Sequence, residues 1–369
     1  MDKLVLPGDI LLAREAIAII PEVDLGPPIE IPPIPADANP ENISTEERQF
    51  LHSEIKRFKK EKNALVLAHN YEPPDVQDAA DFVGDSLHLA KIGRDSDADI
   101  LIEASVLFMN QILAVMKKPH QKILAPSLKA LCSLAAHADV NKVLAWKNEH
   151  PDGKVISYVN TYLDVKALSD ICCASGNAAK VIQHMAQLYP DSPLLFLPDV
   201  FLGYFATKTL EKMGQSIDRL YLMMGACHVH EQITPQHVMK QRILHPDAAV
   251  TAHSECGCVV KCMTLLDQGL VTEEKMNLSS TWGMIDFVKK TPHKKIIVAT
   301  TVTNIYPMSK AAPDKEFIPA NPEAHCAFME QNTLRNLYES LRDGVHEITV
   351  DPELAERARI PIERMLAIQ

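Results

Sequence analysis

Three cysteines offer the clearest chemistry in this chain. Cys132 lies 95 residues before Cys227, and Cys326 lies 99 residues after it. Thiolates are soft ligands that suit iron–sulfur clusters and zinc. If each belonged to one of three repeated units meeting at a common centre, they could hold a 4Fe-4S cluster in which one iron lacks a protein ligand. Cysteine is also a common small core residue, so spacing alone leaves ligation and packing both open. Cys227 sits in Leu220-Tyr-Leu-Met-Met-Gly-Ala-Cys-His-Val-His230, a short apolar strand entering a Gly-Ala turn that presents the thiol and, three residues on, His230. A second thiol run, Cys256-x-Cys258-x-x-x-Cys262, could hold zinc with His253. Cys258 and Cys262 fall one helical turn apart, and we read that run, like Cys172-Cys173, as core or redox bystanders.

Polar residues recur with the same rhythm. Ala64-Leu-Val-Leu-Ala-His-Asn-Tyr71, Lys154-Val-Ile-Ser-Tyr-Val-Asn-Thr161 and Ala249-Val-Thr-Ala-His-Ser-Glu255 are apolar runs that each end in groups able to donate, accept or transfer a proton. His69, Tyr71, Tyr158, Asn160, His253 and Glu255 would therefore emerge at strand ends. Histidine titrates near neutrality unperturbed, and a partly buried glutamate can do so too. Ser86, Ser175 and Thr281 precede helical stretches. As N-caps they need no further explanation; pointing inward together, they would make an anion site suited to carboxylates or a phosphate.

The elements that must position these residues are alternating β-rich and helical stretches, the pattern of α/β units with parallel sheets. Four ordered features recur three times at a period of roughly 90–100 residues, the signature of internal repetition. They are the strand with a polar end, the hydroxyl before a helix, a second strand leading to a turn (Ile100-Leu-Ile-Glu103, Leu194-Leu-Phe-Leu-Pro198, Ile296-Ile-Val-Ala-Thr300), and the cysteine. The expected fold is α/β: three homologous three-layer α/β/α domains around a pseudo-threefold axis, each with a short, mostly parallel sheet. Open α/β sheets bind ligands beyond the carboxyl ends of their strands, and three such ends could face one centre. The expected boundaries are a Pro-rich extension over 1–43, a first unit over 44–140, a second over 141–235 and a third over 236–334. The segment 335–369 should pack on the first unit. Ser44-Thr-Glu-Glu47 fits a capping box opening a helix to about Lys62.

Bulk properties agree with a small-molecule enzyme more than with a nucleic-acid or membrane protein. A length of 369 residues suffices for two or three domains. The net charge is −11 with no long basic run, and the short Lys56-Arg-Phe-Lys-Lys60 is flanked by Glu54 and Glu61. We expect neither nucleic acid nor membrane as a partner. The apolar run Ala16-Ile-Ala-Ile-Ile20 is too short for a signal peptide or a span. Without an export signal the eight cysteines read as thiols or ligands, and the cytoplasm as the compartment.

Taken together, several motifs resemble the quinolinate synthase family, the iron–sulfur enzymes of de novo NAD biosynthesis. They are Ala68-His-Asn-Tyr71, Gly84-Asp-Ser-Leu87, Phe108-Met109, Cys132-Ser-Leu134, Tyr158-Val-Asn160, Ser175 with Asn177, Pro198-Asp199 with Leu202-Gly203, Gly225-Ala-Cys-His-Val-His230, His253-Ser-Glu255, Ser280-Thr281 and Cys326 with Met329. The likeness runs in order from about residue 45 to the C-terminus. It implies a 4Fe-4S cluster on Cys132, Cys227 and Cys326, whose open iron acts as a Lewis acid. It also implies condensation of iminoaspartate with dihydroxyacetone phosphate to quinolinate, with loss of phosphate and water. The implied substrate-binding residues are His69, Tyr71, Ser86, Tyr158, Asn160, Ser175, His230, His253, Glu255 and Thr281; Glu255, with His230, His253 and Tyr71, would move protons. A transient contact with the enzyme that supplies iminoaspartate is a further expectation. The chain departs from the family's usual pattern at Ser254, Ser279, Ala174, Gln111 and Thr301. Two other functions fit the residues: an iron–sulfur hydro-lyase on another di- or tricarboxylate, and a non-catalytic metal or cluster sensor.

Overall fold

The computed structural model describes residues 26–368, so the first part of the Pro-rich extension lies outside the described residues. Three four-stranded sheets follow along the chain. The first holds β1 (Ala64–His69), β2 (Phe82–Gly84), β3 (Ile100–Ala104) and β4 (Lys122–Leu124). The second holds β5 (Lys154–Tyr158), β6 (Ile171–Cys173), β7 (Leu194–Leu197) and β8 (Leu220–Leu222). The third holds β9 (Ala249–His253), β10 (Met276–Ser279), β11 (Lys295–Ala299) and β12 (Glu316–Pro319). Their strand orders, β2-β1-β3-β4, β6-β5-β7-β8 and β10-β9-β11-β12, are one topology used three times. Every pair within them is parallel, which sharpens the expectation of mostly parallel sheets. The triplication read from spacing is thus present in the backbone.

Side-chain alternation explains why each sheet needs helices on both faces. In β1, Val66 and Ala68 pack with Leu51, Ile55, Leu337 and Leu341 on one face, and Leu67 packs with Leu89, Phe108 and Ile112 on the other. In the second sheet Val155, Leu195 and Leu197 face Val143 and Trp146, while Ile156 and Phe196 face Val181, Ile182 and Met185. The third sheet splits the same way, with Val250 and Ala252 against Val238 and Cys262, and Ile296 and Val298 against Met284 and Val288. Ser44 caps the opening helix Thr45–Glu61, its side chain accepting from the Glu47 N–H at 3.1 Å.

The C-terminal segment, expected against the first unit, divides between two. Helix Leu334–Asp343 lies along Thr45–Glu61 of the first unit. Helix Pro352–Ala367 instead lies mainly on β6 and on helix Leu163–Lys166 of the second, while still touching helix Leu107–Met116 of the first. The Asn177 side chain fastens it there, donating to the carbonyls of Met365 at 3.3 Å and Ile368 at 2.9 Å. Apolar residues at Ala358, Ile362, Met365 and Leu366 give this helix the stripe that buries against the second sheet's core.

β8 stops at Leu222, and the chain after it threads a crowded turn. A Cβ on Gly225 would stand 2.5 Å from the Pro198 carbonyl oxygen and 2.9 Å from the His137 Cβ. Gly225 is therefore required by close approach and not by backbone angle. Gly225→Ala should cost about 1–3 kcal/mol as an overpacking change, lowering the thermal midpoint and displacing the Cys227 turn; an unchanged midpoint would contradict this packing.

Candidate active site

The repeated topology turns the carboxyl ends of all three sheets toward one cavity, of about 710 Å³ with its open mouth included. Its walls hold His69, Tyr71, Ser86, Cys132, Tyr158, Asn160, Ser175, Cys227, His230, His253, Glu255, Thr281 and Cys326. Every residue that the family resemblance assigns to the site therefore faces the same space, whereas Cys256, Cys258 and Cys262 of the second thiol run do not line it. In each unit the site residues come from three corresponding places, the end of the first strand, the turn into the next helix and the cysteine turn, as expected where parallel strands leave binding groups beyond their carboxyl ends.

The hydroxyl residues are freed by their neighbours. Ser86 and Thr281 are first residues of helices, and the N-caps are Asp85, accepting from the His88 N–H at 2.9 Å, and Ser280, accepting from the Gly283 N–H at 3.3 Å. Ser175 lies upstream of helix Ala178–Leu188, whose N-cap position is Asn177. Capping thus falls to the adjacent residue for Ser86 and Thr281, whereas the helix after Ser175 carries no side-chain cap. Thr281 Oγ1 accepts from Asn70 Nδ2 at 3.1 Å, which ties the third unit to the first.

A proton-bearing group sits at the meeting of the three units. Tyr158 OH of the second unit donates to Glu255 Oε1 of the third. Tyr71 OH of the first lies 2.6 Å from Thr300 Oγ1 and 3.3 Å from His230 Nε2. The His230 and His253 rings stack at 4.9 Å, and His69 meets Tyr71 edge-on at 4.8 Å. Burial pushes the Glu255 carboxyl up to about 7, against the Tyr158 hydrogen bond that favours its ionised form. Burial also pushes His69 and His230 down to about 3 and His253 well below its ordinary value. These imidazoles are neutral at physiological pH, so the approaches of His230 and His253 to Glu255 at 4.0 and 3.7 Å are not ion pairs. Burial and then the Glu255 charge hold Tyr71 and Tyr158 far above the usual phenol range. One carboxyl poised near neutrality among neutral donors and acceptors can hold and pass a proton.

All eight cysteines lie among the described residues as free thiols. Cys132 and Cys326 are pushed up to about 12, chiefly by burial, and Cys227 well above its ordinary value. After burial, the charges of Cys326, Glu255 and Cys132 raise Cys227 further. The thiols of the competing run touch one another through Cys258, which shares side-chain hydrogen bonds with Cys256 and Cys262. Among the described residues the one group of three metal-binding side chains within 4.8 Å of one another is Cys227, His230 and Glu255, a spacing that neither Cys132, Cys227 and Cys326 nor a set with Cys258 or Cys262 reaches. Both are buried in the third unit's core beside Ala248 and Val250. Cys256 differs: its Sγ lies 3.1 Å from His230 Nδ1 and 3.1 Å from the Ala299 carbonyl.

Sequence reasoning missed several neighbours of the site. His228 faces the cavity with Nδ1 at 2.6 Å from Ser133 Oγ, joining the second unit to the first. Asp199 is fully buried, and burial followed by the charge of Glu255 raises its carboxyl well above the ordinary range. Asn70, Thr300 and Cys256 act on Thr281, Tyr71 and His230 respectively. The available signal was adjacency: Asn70, Asp199, Cys256 and Thr300 each lie within three residues of a strand's carboxyl end, and His228 lies beside Cys227 in the turn after β8. Of the departures from the family pattern, Ala174 and Thr301 line the cavity, and Ser254 Oγ is buried without a hydrogen-bond partner.

Three parallel sheets closing on one buried, proton-bearing and thiol-lined cavity define an enzyme site for a small polar substrate. Comparison with known proteins names the family. Residues 53–367 match the family model described as Quinolinate synthetase A protein. The chain is 42% identical over 321 residues to the quinolinate synthase of Pyrobaculum aerophilum, covering 86% of this chain and 99% of that one. It is 39% identical over 320 residues to that of Thermus thermophilus, covering 87% and 98%. It is 37% identical over 316 residues to that of Mycobacterium tuberculosis, covering 86% and 88%. The chain belongs to the quinolinate synthase family. Among the described residues no helix is long and apolar enough to cross a membrane.

Because burial holds folded Glu255 near 7 against an ordinary 4.5, the folded chain keeps a proton that the unfolded chain loses. Stability therefore falls as pH rises from the unfolded value through 7, by on the order of 3 kcal/mol. Glu255→Gln should stabilise the cluster-free protein at about pH 8 and change it little near pH 4.5, read by denaturant unfolding at the two values. An equal shift at both would contradict the burial cost.

Proposed function

We propose that the chain is a quinolinate synthase that condenses iminoaspartate with dihydroxyacetone phosphate, releasing phosphate and two waters. Atoms and electrons balance without an oxidant, so the work is positioning, proton transfer and dehydration. The observation that carries this proposal is the convergence of Cys132, Cys227 and Cys326 with Glu255 and the three hydroxyls on one cavity.

The donor set fits a 4Fe-4S cluster. Three thiols, one from each unit, line the cavity half-buried, and poor hydration there with mutual repulsion keeps them protonated until a metal takes the protons' place. Cys132, Cys227 and Cys326 would hold the cluster, which when bound supplies a Lewis-acidic iron for dehydration. The remaining steps fall to the chain's own side chains. Ser86, Ser175, Thr281 and Asn160 bind the carboxylates and phosphate through hydroxyl and amide donors. His69 and Tyr158 orient them. Glu255 removes and returns the protons that enamine formation and loss of water require, its carboxyl held near 7 by burial. His230 and His253, 4.0 and 3.7 Å from Glu255, and Tyr71, 3.3 Å from His230 Nε2, would relay those protons once substrate bridges the gaps. Enclosing this chemistry limits hydrolysis of the labile imine, and a transient contact with the enzyme that makes iminoaspartate would limit it further.

The direct test is quinolinate formation from iminoaspartate and dihydroxyacetone phosphate by anaerobically reconstituted protein; a fully loaded enzyme that makes none would reject the assignment. Cys132→Ser, Cys227→Ser and Cys326→Ser should each abolish the brown cluster chromophore, whereas Cys258→Ser should keep it. A full cluster in any of the first three removes that ligand. Glu255→Gln should keep the cluster and lose roughly 100-fold or more in turnover, the scale of a lost general acid–base; turnover like the parent's would reject its role.

A further inference from the structure

The cavity contains a second, smaller ligand set that shares only one residue with the three-thiol wall. One donor atom each from Cys227, His230 and Glu255 lies within 4.8 Å of the other two, the single such group among the described residues. Thiol, imidazole and carboxylate together are a zinc-type donor set, and three protein ligands leave a fourth position open. Bonds of roughly 2.0–2.3 Å in a tetrahedral site set donors about 3.5 Å apart, so these three need close in by only about 1 Å.

The atoms behind each ligand are arranged as metal sites require. Cys256 lies 3.1 Å from the Ala299 carbonyl, to which its thiol donates, leaving the sulfur to accept from His230 Nδ1 at 3.1 Å. That contact places the imidazole proton on Nδ1 and leaves the Nε2 lone pair toward the cavity, 4.0 Å from Glu255 Oε2. Tyr158 occupies Glu255 Oε1, so Oε2 is the free oxygen. The Tyr71 hydroxyl now 3.3 Å from Nε2 keeps Thr300 at 2.6 Å when a metal displaces it.

We infer that the cluster-free chain binds one zinc-class divalent cation at Cys227, His230 and Glu255, with Cys256 as the positioning residue that orients His230. Binding releases the Cys227 thiol proton and changes no oxidation state. Because Cys227 would also be a cluster ligand, the two metal centres exclude each other; this second clause, and only this one, rests on the function proposed above. The cation would also cover the carboxylate and imidazole assigned there to proton transfer, so the zinc form is an inactive alternative that must be cleared before cluster assembly.

The test is anaerobic titration of chelator-treated, cluster-free protein with zinc(II) against a chromophoric chelator, with cobalt(II) as the spectroscopic probe. One equivalent should bind, and the cobalt form should show a thiolate charge-transfer band with tetrahedral d–d transitions. Cys132→Ser, Cys326→Ser, Cys258→Ser and Cys262→Ser should bind as the parent does. Cys227→Ser should lose the charge-transfer band, and Glu255→Gln, nearly isosteric, should bind at least tenfold more weakly. Cys256→Ala should weaken binding roughly 10–100-fold, the usual cost of losing an outer-shell partner, with Cys256→Ser recovering most of it. Parent-like binding by both Cys227→Ser and Glu255→Gln overturns the site, as does loss of binding in Cys258→Ser or in Cys132→Ser together with Cys326→Ser. Preloaded zinc should slow formation of the brown chromophore with ferrous iron and sulfide. A cluster that forms with zinc fully retained overturns the exclusion, whereas no cluster even in zinc-free protein refutes the cluster assignment and leaves the zinc titration standing.

Discussion

Parallel strands end on one edge, and the whole site depends on that constraint. A parallel sheet needs a crossover between successive strands, so every carboxyl-end loop emerges on the same side. One sheet of four strands offers too few loops to enclose a substrate with several charges. Three copies of the same strand order, each turned toward the others, supply a dozen loops around one cavity. The contacts that close the ring are polar and cross between units: Asn70 to Thr281, Tyr158 to Glu255, and Ser133 to His228. Fold and chemistry are therefore coupled, because the bonds that orient the site also hold the units together.

The site carries a stability cost consistent with this coupling. Glu255, His69, His230, His253, Tyr71 and Tyr158 are all buried in one place, where charge is strongly disfavoured. Three thiols that repel one another's charged forms share the same wall. An apolar cavity of this size would be more stable and inert. Retaining these groups is typical of sites where function opposes stability, and the proposed ligation by a metal would remove part of the strain by replacing thiol protons.

Much of this was legible in the sequence because it is periodic. The three strands that open the units are continuous apolar runs, and their polar ends recur at nearly constant spacing, so strand, topology and cavity wall could be inferred together. Glu255 and the cysteines followed from position within that repeat. What was not legible depends on contacts between distant residues. Whether Ser86 or Asp85 caps a helix turns on one residue of local geometry, and both types are good caps. The split path of the last two helices is set by which sheet face remains open, which no local pattern records. Cys256 looked like a member of a thiol run, and only the fold shows that its sulfur also meets His230.

The central claim is that one thiol from each unit meets at a common metal centre. Diffraction from anaerobically grown crystals, collected on both sides of the iron absorption edge, tests it without relying on activity. The account predicts a single compact iron peak in the cavity, about 2.3 Å thiolate bonds linking it to Cys132, Cys227 and Cys326, and one iron facing Glu255 and His230 without a cysteine. Iron bound through Cys256, Cys258 or Cys262, or a peak that leaves any of the three thiols unligated, would contradict it.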